Sequence, residues 1–536
     1  MFLSSSLRFQ KGRVKRMKGV HLSGVLIAAM LWLGGGTNAA KAQESTLQIS
    51  AAGSDIATLD PHRATTSTDK PLVGLIYNGL VRFAPGSADP KDLEPDLAER
   101  WESSADGRTW TFFLRKGVKF HENWGELTAD DVVYSLTRAG DPRRSTFAAD
   151  FSAIESIAKV DDYTVRIALK YPDANFLGRV SNYHGGNIVS RKAAEELGET
   201  FASNPVGTGP FAFAEHLTQQ YVKLVAHEGY FRGRPKISTI MYRMIPSDSA
   251  RELAFSSGEL DVIQGRREQR WADTARRRGN MTVDIFRPGE FRTLHINRSI
   301  APLDNLKVRE AIAAAINVDD LLQFVGREVS LKGCSVVPPG YLGEDCSSGA
   351  YAYDFAKAKA LLTEAGYPDG FTLKVVVSNI SSVLPTMEII QRQLAKVGIK
   401  LDMSVVDHPT YQSQIRGDAS ALVFYGAARF PIADTYLSEF YHSSAIVGKP
   451  TAVTNFSHCD VADTEIEAAR VEGNAERQQE LWKEAQRKIH QDVCAIPLFD
   501  LQQVWGHSKR VNFGYDLKGA MNLAPPITEA TTVTPR

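Results

Sequence analysis

Four cysteines, Cys334, Cys346, Cys459 and Cys494, are the residues of this 536-residue chain whose spacing most restricts their chemistry. Four thiols allow three pairings. Cys334 and Cys346 flank a Pro/Gly loop, VVPPGYLGED, so local closure predicts one bridge there. Cys459 and Cys494 then tie a loop to the entry of a strand after a long helix. Closing a loop of ~13 residues contributes about 3 kcal/mol in the chain-entropy picture. The alternatives are free thiols or a metal site, and the lack of any CxxC or CxxH spacing argues against metal. Other reactive groupings are weaker. Gly207-Thr208-Gly209-Pro210 lacks the third glycine of a dinucleotide fingerprint and has proline where a helix must start, so it reads as a turn. His121-Glu122 with Glu126 follows a hairpin and reads as a solvated loop. Arg266, Arg267, Arg270 and Arg276-Arg277-Arg278 read as a solvated helix face, with membrane or phosphate contact as the alternative. No nucleophile elbow, zincin, Walker or EF-hand pattern is present. The chain is read as non-enzymatic, with no catalytic residues, no metal and no cofactor.

Charge and composition bound the partners. Basic and acidic residues number 62 each, and 43% of residues are hydrophobic, an ordinary globular balance. The first 42 residues hold seven basic residues and no acid, leaving a mildly acidic body with no electrostatic footprint for nucleic acid. Basic residues at 8–18, an apolar run at 22–33 and the site Ala40-Lys41-Ala42 form a secretory signal. Met17 is an alternative start, and an uncleaved anchor the alternative fate. The expected product is soluble, periplasmic and cleaved near Ala42, and disulfide use fits an exported protein.

The elements that must carry any site alternate between strand and helix. Strands are predicted at 47–51, 109–115, 163–169, 221–226, 236–244, 260–263, 291–297, 371–377, 399–406, 421–425 and 495–501, and helices at 70–80, 130–138, 249–258, 306–316, 354–365 and 384–397, with one or two more over 463–492. Thr128 and Asp131 form a capping-box variant at the second helix. The strand at 371–377 is apolar enough for a sheet covered on both faces. The last ~20 residues, rich in Pro and Thr, are expected to be loose. This order argues for an α/β chain whose lobes are joined by more than one crossing.

The run 97–138 resembles the signature of the family 5 extracellular solute-binding proteins, the dipeptide-, oligopeptide- and nickel-binding proteins of ABC importers. Its residues are LAERW at 97–101, Asp106-Gly107, WTF at 110–112, LRKGVKFH at 114–121 and TADDVV at 128–133. Further similar runs are Leu59-Asp60-Pro61, NPVGTGPF at 204–211, Asn297 with VREAI at 308–312, AGY at 365–367, Gly398-Ile399 and Ile496-Pro497-Leu498. The resemblance implies a two-lobed periplasmic-binding-protein fold (type II, cluster C-like), with an extra subdomain on the first lobe. The expected division is 1–42 leader, 43–80 and 201–290 lobe I, 81–200 extra subdomain, 291–499 lobe II and 500–536 a return to lobe I. It implies a monomer that delivers a solute, by default a peptide, to a permease and ATPase at the inner membrane. A ligand sensor on the same fold is the second class.

One departure bears on the ligand. Peptide binders of this family place an Asp for the peptide ammonium after a second-lobe strand. The matching stretch, FYGAARFPIAD at 424–434, holds Ala428 or Arg429 there and has no acid before Asp434. An arginine repels an ammonium and favours a carboxylate or phosphate. Arg429 is therefore read as an anion contact, against solvent exposure or pairing with Asp434, and an opine, a sugar phosphate or a metal chelate is the alternative to the default peptide. Tyr425 and Phe430 are candidate cleft walls, with ordinary core packing the equal alternative for each. Ser381 and Ser382 precede a helix whose N-terminal amides suit an anion. Asp55 and Asp60 lie in the first-lobe turn and either face the ligand or cap.

Overall fold

The apolar positions of TLQISA set the strand Thr46–Ala51 into the centre of a large mixed sheet, parallel to Thr239–Met244 on one side and Val262–Gln264 on the other. In this computed structural model residues 45–173, 175–448 and 454–535 are described. The leader and its cleavage site lie outside them. Among the described residues this sheet has nine strands. Its order runs Leu422–Ala427, Met281–Ile296, Ala495–Ser508, Val262–Gln264, Thr46–Ala51, Thr239–Met244, Tyr221–Ala226, Phe211–Leu217, with Ser330–Lys332 added on Ala495–Ser508. The predicted strand at 291–297 is the end of a 16-residue strand.

Four buried apolar clusters form among the described residues, and two of them bear on how the lobes are joined. Leu47, Ile49, Phe112, Tyr242, Phe286 and Trp505 belong to the first. Leu294, Ile296, Val308, Ile312, Val375, Ile390, Ile496 and Leu498 belong to the second. Met281–Ile296 and Ala495–Ser508 each contribute to both, so two adjacent antiparallel strands join the lobes. Their register shifts between Phe286 and Glu290 and again between Arg292 and Thr293. Such irregularities re-aim side chains, and here they lie beside the cleft.

The first core also carries a four-stranded antiparallel sheet, ordered Ala98–Ser103, Thr109–Leu114, Thr164–Leu169, Ile154–Asp161. Helix Ala129–Ala139 opens on the capping box read from sequence, with the Thr128 N–H donating to Asp131 at 2.9 Å. Cys334 pairs with Cys346, and Cys459 with Cys494. No helix among the described residues is long and apolar enough to cross a membrane.

Several expectations need correction. The C-terminal segment is not loose: Ala524, Ile527 and Thr531 are buried, the first two in the first core, and Thr532–Val533 pairs with Val511–Asn512. Its Pro and Thr residues shape a packed return over lobe I. Strand Phe371–Ser378 is not covered on both faces throughout, since Thr372 and Lys374 are exposed and only its last four residues form a buried run. His121 is not in a solvated loop. It is 1% exposed, its Nε2 bonds Gly209 O at 3.0 Å, and burial presses its pKa to about 3. It clamps the 207–210 turn.

Asp60 is structural. Its carboxylate takes two bonds from Arg138, at 2.9 and 2.5 Å, and Arg138 Nη1 also donates to His62 Nδ1 at 2.7 Å. All three side chains are buried. Burial, then the Arg138 charge, lowers His62 to about 4, so it stays neutral and bonds Asn187 O through Nε2. Removing one partner of a buried pair strands the other, at a typical loss of 3–5 kcal/mol. Asp60→Asn is expected to lower unfolding free energy by about 3 kcal/mol, read by urea titration. A change under 1 kcal/mol would show that water reaches Arg138.

Candidate functional site

The cleft between the lobes contains two chambers, of about 610 and 350 Å³, that share Thr65, Lys70 and Arg429 as common wall. Thr65 lies in the loop that leads to helix Asp69–Ile76 and Lys70 in the first turn of that helix, which packs into the first core. Arg429 follows strand Leu422–Ala427, an edge of the large sheet, and precedes helix Ala433–Phe440.

The smaller chamber is floored by the crossing strand. Glu290 sits between two guanidinium groups, with Arg267 Nη2 and Arg292 Nη2 each 2.6 Å from one of its oxygens. Burial opposes the charge on Glu290, but the two arginines override it and hold its pKa at about 2. Arg292 crosses the backbone of Gly426, where a Cβ would stand 2.5 Å from its Nη1, so glycine is needed there. Arg267 Nη1 and Arg292 Nε are buried and have no hydrogen-bond partner among the described residues. Charged lining residues are Lys70, Arg267, Arg292 and Arg429 against the single carboxylate Glu290. Ser382, His408, Tyr411, Tyr425 and the backbone around Ala428 complete the wall.

The larger chamber is balanced, with Lys70, Arg179, Arg429 and Arg470 facing Asp150, Asp173, Asp434 and Glu439. Arg179 meets Asp173 at 2.5 Å, and Asp434 lies 3.8 Å from Arg470. Burial pushes the Asp434 carboxyl up despite the pull of Arg470 and Arg179. Trp482 lines the chamber with a buried Nε1–H that has no partner among the described residues.

Arg429 does not pair with Asp434. Its Nε donates to Glu439 at 2.5 Å and its Nη1 to Ala428 O at 3.2 Å. Burial works against its charge and Glu439 restores it, for a net rise in pKa. The cleft gathers Arg429, Tyr425, Ala428 and Asp434, with the last in the larger chamber. Tyr425 lies against Phe456 at 4.9 Å, so it is both wall and core. Ser381 is exposed, and its neighbour Ser382 takes the lining place. Asp55 is not brought to either chamber. His216 Nε2 lies 2.8 Å from one of its oxygens and the Gln219 N–H donates to the other, so its carboxylate braces a loop.

Sequence reasoning passed over Lys70, Glu290, Arg292 and Glu439, and it read Arg267 as part of a solvated helix face, whereas Arg267 precedes helix Gln269–Arg278 and turns inward to Glu290 at 2.6 Å. A usable signal existed for two of them: Glu290 and Arg292 are charges in the half of the strand that is otherwise buried, and such charges must be paired or face a cavity. Lys70 carries no comparable mark.

The chain matches the profile described as bacterial extracellular solute-binding proteins, family 5 (middle), over residues 92–447. It is 32% identical over 480 residues to heme-binding protein A of Haemophilus influenzae, spanning 82% of this chain and 85% of that protein. Among solved structures it superposes on the periplasmic binding protein MoaA of A. tumefaciens R10 in complex with mannopinic acid, with 46% identity and a TM-score of 0.84, over 92% of this chain and all of that one. DppA of Helicobacter pylori, in complex with the peptide STSA, superposes with 28% identity and a TM-score of 0.79, covering 91% and 98%.

Proposed function

The chain belongs to the bacterial extracellular solute-binding proteins of family 5, periplasmic binding proteins of ABC importers and not enzymes, and from that premise we propose that its ligand is a small organic acid of the opine class. The observation that carries this is the smaller chamber, where four cations face one carboxylate, and that carboxylate is already shared by two of them. A ligand carboxylate there gains charge-assisted bonds from guanidinium groups with spare donors. The balanced larger chamber suits the polar remainder of such a molecule. Volumes of this order are typical of pockets for small solutes. The mannopinic acid complex of a 46% identical relative supports the same class. A short peptide is the second reading, favoured by Asp150, Asp173 and Asp434 in the larger chamber, which offer places for an ammonium group.

The same reading places lobe II at 291–499 and the extra subdomain at 81–200. It takes the leader to be removed near Ala42, giving a monomeric receptor in the periplasm that docks on a permease with its ATPase. Mass spectrometry of the exported protein checks the cleavage point.

Calorimetry separates the ligand classes. Mannopinic acid is expected to bind, and Arg429→Ala to weaken it about tenfold to a hundredfold, the range for a lost charge-assisted bond. A neutral dipeptide is expected to bind much more weakly. Equally tight dipeptide binding by both proteins would overturn the acidic-solute reading in favour of the peptide one.

A further inference from the structure

Lys70 differs from the other cations of the cleft. Arg267 and Arg292 share Glu290, Arg429 has Glu439, Arg179 has Asp173 and Arg470 has Asp434. Lys70 Nζ has no carboxylate within ion-pair distance among the described residues, and its one close neighbour of note is the Tyr183 ring, 5.3 Å from the centroid. The groups that act on it come from both walls. Arg429 repels it, while Glu439 and Asp150 attract it from beyond contact. Those two acids are engaged elsewhere, Glu439 with Arg429 and Asp150 with Arg179 and His184.

Lys70 stands on the helix that packs into the first core, and Arg429 on the segment that follows an edge strand from the other side of the cleft. Both line both chambers. Two like charges that approach from opposite lobes oppose closure when only they fill the space. An anion between them turns that repulsion into two attractions, and only such a differential interaction shifts a two-state equilibrium. A ligand that keeps its shape but loses its charge leaves the lysine buried and uncompensated, which is how a polar site rejects an analogue strongly.

We propose that Lys70 is the specificity-determining residue of the cleft, forming with Arg429 a two-sided clamp that lets the lobes shut on a ligand anion and rejects the same molecule without its charge. The clamp rests on the reading of the chain as a receptor for an acidic solute. Burial and the Arg429 charge press the Lys70 pKa down to about 8. The amine is therefore charged below that pH and neutral above it, so anion affinity falls as pH rises past about 8, by at most tenfold per unit for one proton.

The test uses the full mature protein as wild type, Lys70→Met and Lys70→Arg. In the first arm, spin labels on the two lobes report their separation with no solute added, at low and high sodium chloride. Wild type is expected to close more at high salt, where the repulsion is screened. Lys70→Met is expected to be closed severalfold more often and to ignore salt. In the second arm, calorimetry compares mannopinic acid with the analogue that has a carboxylate converted to a carboxamide. Wild type and Lys70→Arg are expected to prefer the acid tenfold or more, with the preference fading above pH 8 in wild type. Lys70→Met is expected to lose most of the preference at every pH. If Lys70→Met keeps both the salt response and the acid preference, the clamp is overturned, and Lys70 is a packing residue on Tyr183. If wild type binds neither probe, the acidic-solute reading fails, and the label distances alone decide the clamp.

Discussion

Glu290→Gln is expected to destabilise the ligand-free protein by about 1–3 kcal/mol and to make that loss recoverable with added anions. The carboxylate lies 2.6 Å from each of two guanidinium groups, one of them on the buried second half of the strand that joins the lobes. Glutamine keeps the shape but not the charge, and two neighbouring cations are left facing each other. Breaking a wholly buried pair costs about 3–5 kcal/mol. Glu290 keeps some 25% of its side-chain surface exposed toward the chamber, so the smaller range applies. Sulfate or chloride entering the chamber should replace part of the missing charge, and a thermal scan at rising sulfate would show the midpoint climb faster for the variant than for wild type. The pH dependence follows with a definite sign. Glu290 is held at about 2, below its ordinary 4.5. Its contribution is fully present above pH 4.5 and is lost as pH falls from there toward 2. Wild type should lose stability through that window and Glu290→Gln should lose less. Parallel acid curves for the two proteins would show that the carboxylate does not hold the arginines in solution.

How far the site was legible depends on the range of the interaction that makes it. Helix starts were readable because a cap is decided within four residues, as at Thr128 and Asp131. The crossing strand was readable at its apolar end, 291–297, but its reach back to Met281 was not, because Pro288 and Gly289 interrupt the pattern where the register slips. The C-terminal segment looked loose by composition, yet Ile527 belongs to the same core as Leu47 and Ile49, residues from nearly the other end of the chain. The chamber shows the same limit more sharply. Lys70, Arg267, Arg292 and Arg429 lie in four unrelated stretches, and no local spacing marks them as neighbours. Arg429 could be singled out since family resemblance framed an expected acid at that place. Its true partner could not: Glu439 lies ten residues on, brought back by helix Ala433–Phe440, which periodicity had not marked. Asp55 misled for the converse reason, because an acid in a first-lobe turn looks the same whether it faces a ligand or braces a loop against His216.

Gly178→Ala should hold the lobes apart. Phe430, just after the second-lobe edge strand, enters first-lobe territory, with its ring centroid 5.7 Å from that of Phe83 and 6.1 Å from that of Tyr183. It does so over Gly178, where an added Cβ would sit 2.1 Å from the Phe430 Cζ and 2.5 Å from Asn175 Oδ1. No rotation of a methyl relieves a contact that short, so the ring must withdraw or the lobes must separate. Overpacking of this kind costs typically 1–3 kcal/mol. The Phe430 clash exists only when the lobes meet, so its energy falls on the closed state, whereas the Asn175 contact stays within the first lobe and loads its fold. A penalty of this size on closure corresponds to about a fivefold to hundredfold loss of closed population and of ligand affinity, with the unfolding midpoint lowered only by the cost of moving the Asn175 side chain. Small-angle scattering with saturating mannopinic acid should show the variant more extended than wild type. Phe430→Ala in the same chain removes the obstacle and should restore compaction, although it also removes the aromatic contacts. A Gly178→Ala protein that compacts and binds like wild type would mean that Phe430 swings aside freely, and that the aromatic contact does not guide closure. A protein that instead melts early would place the cost within the first lobe, where the Asn175 contact lies.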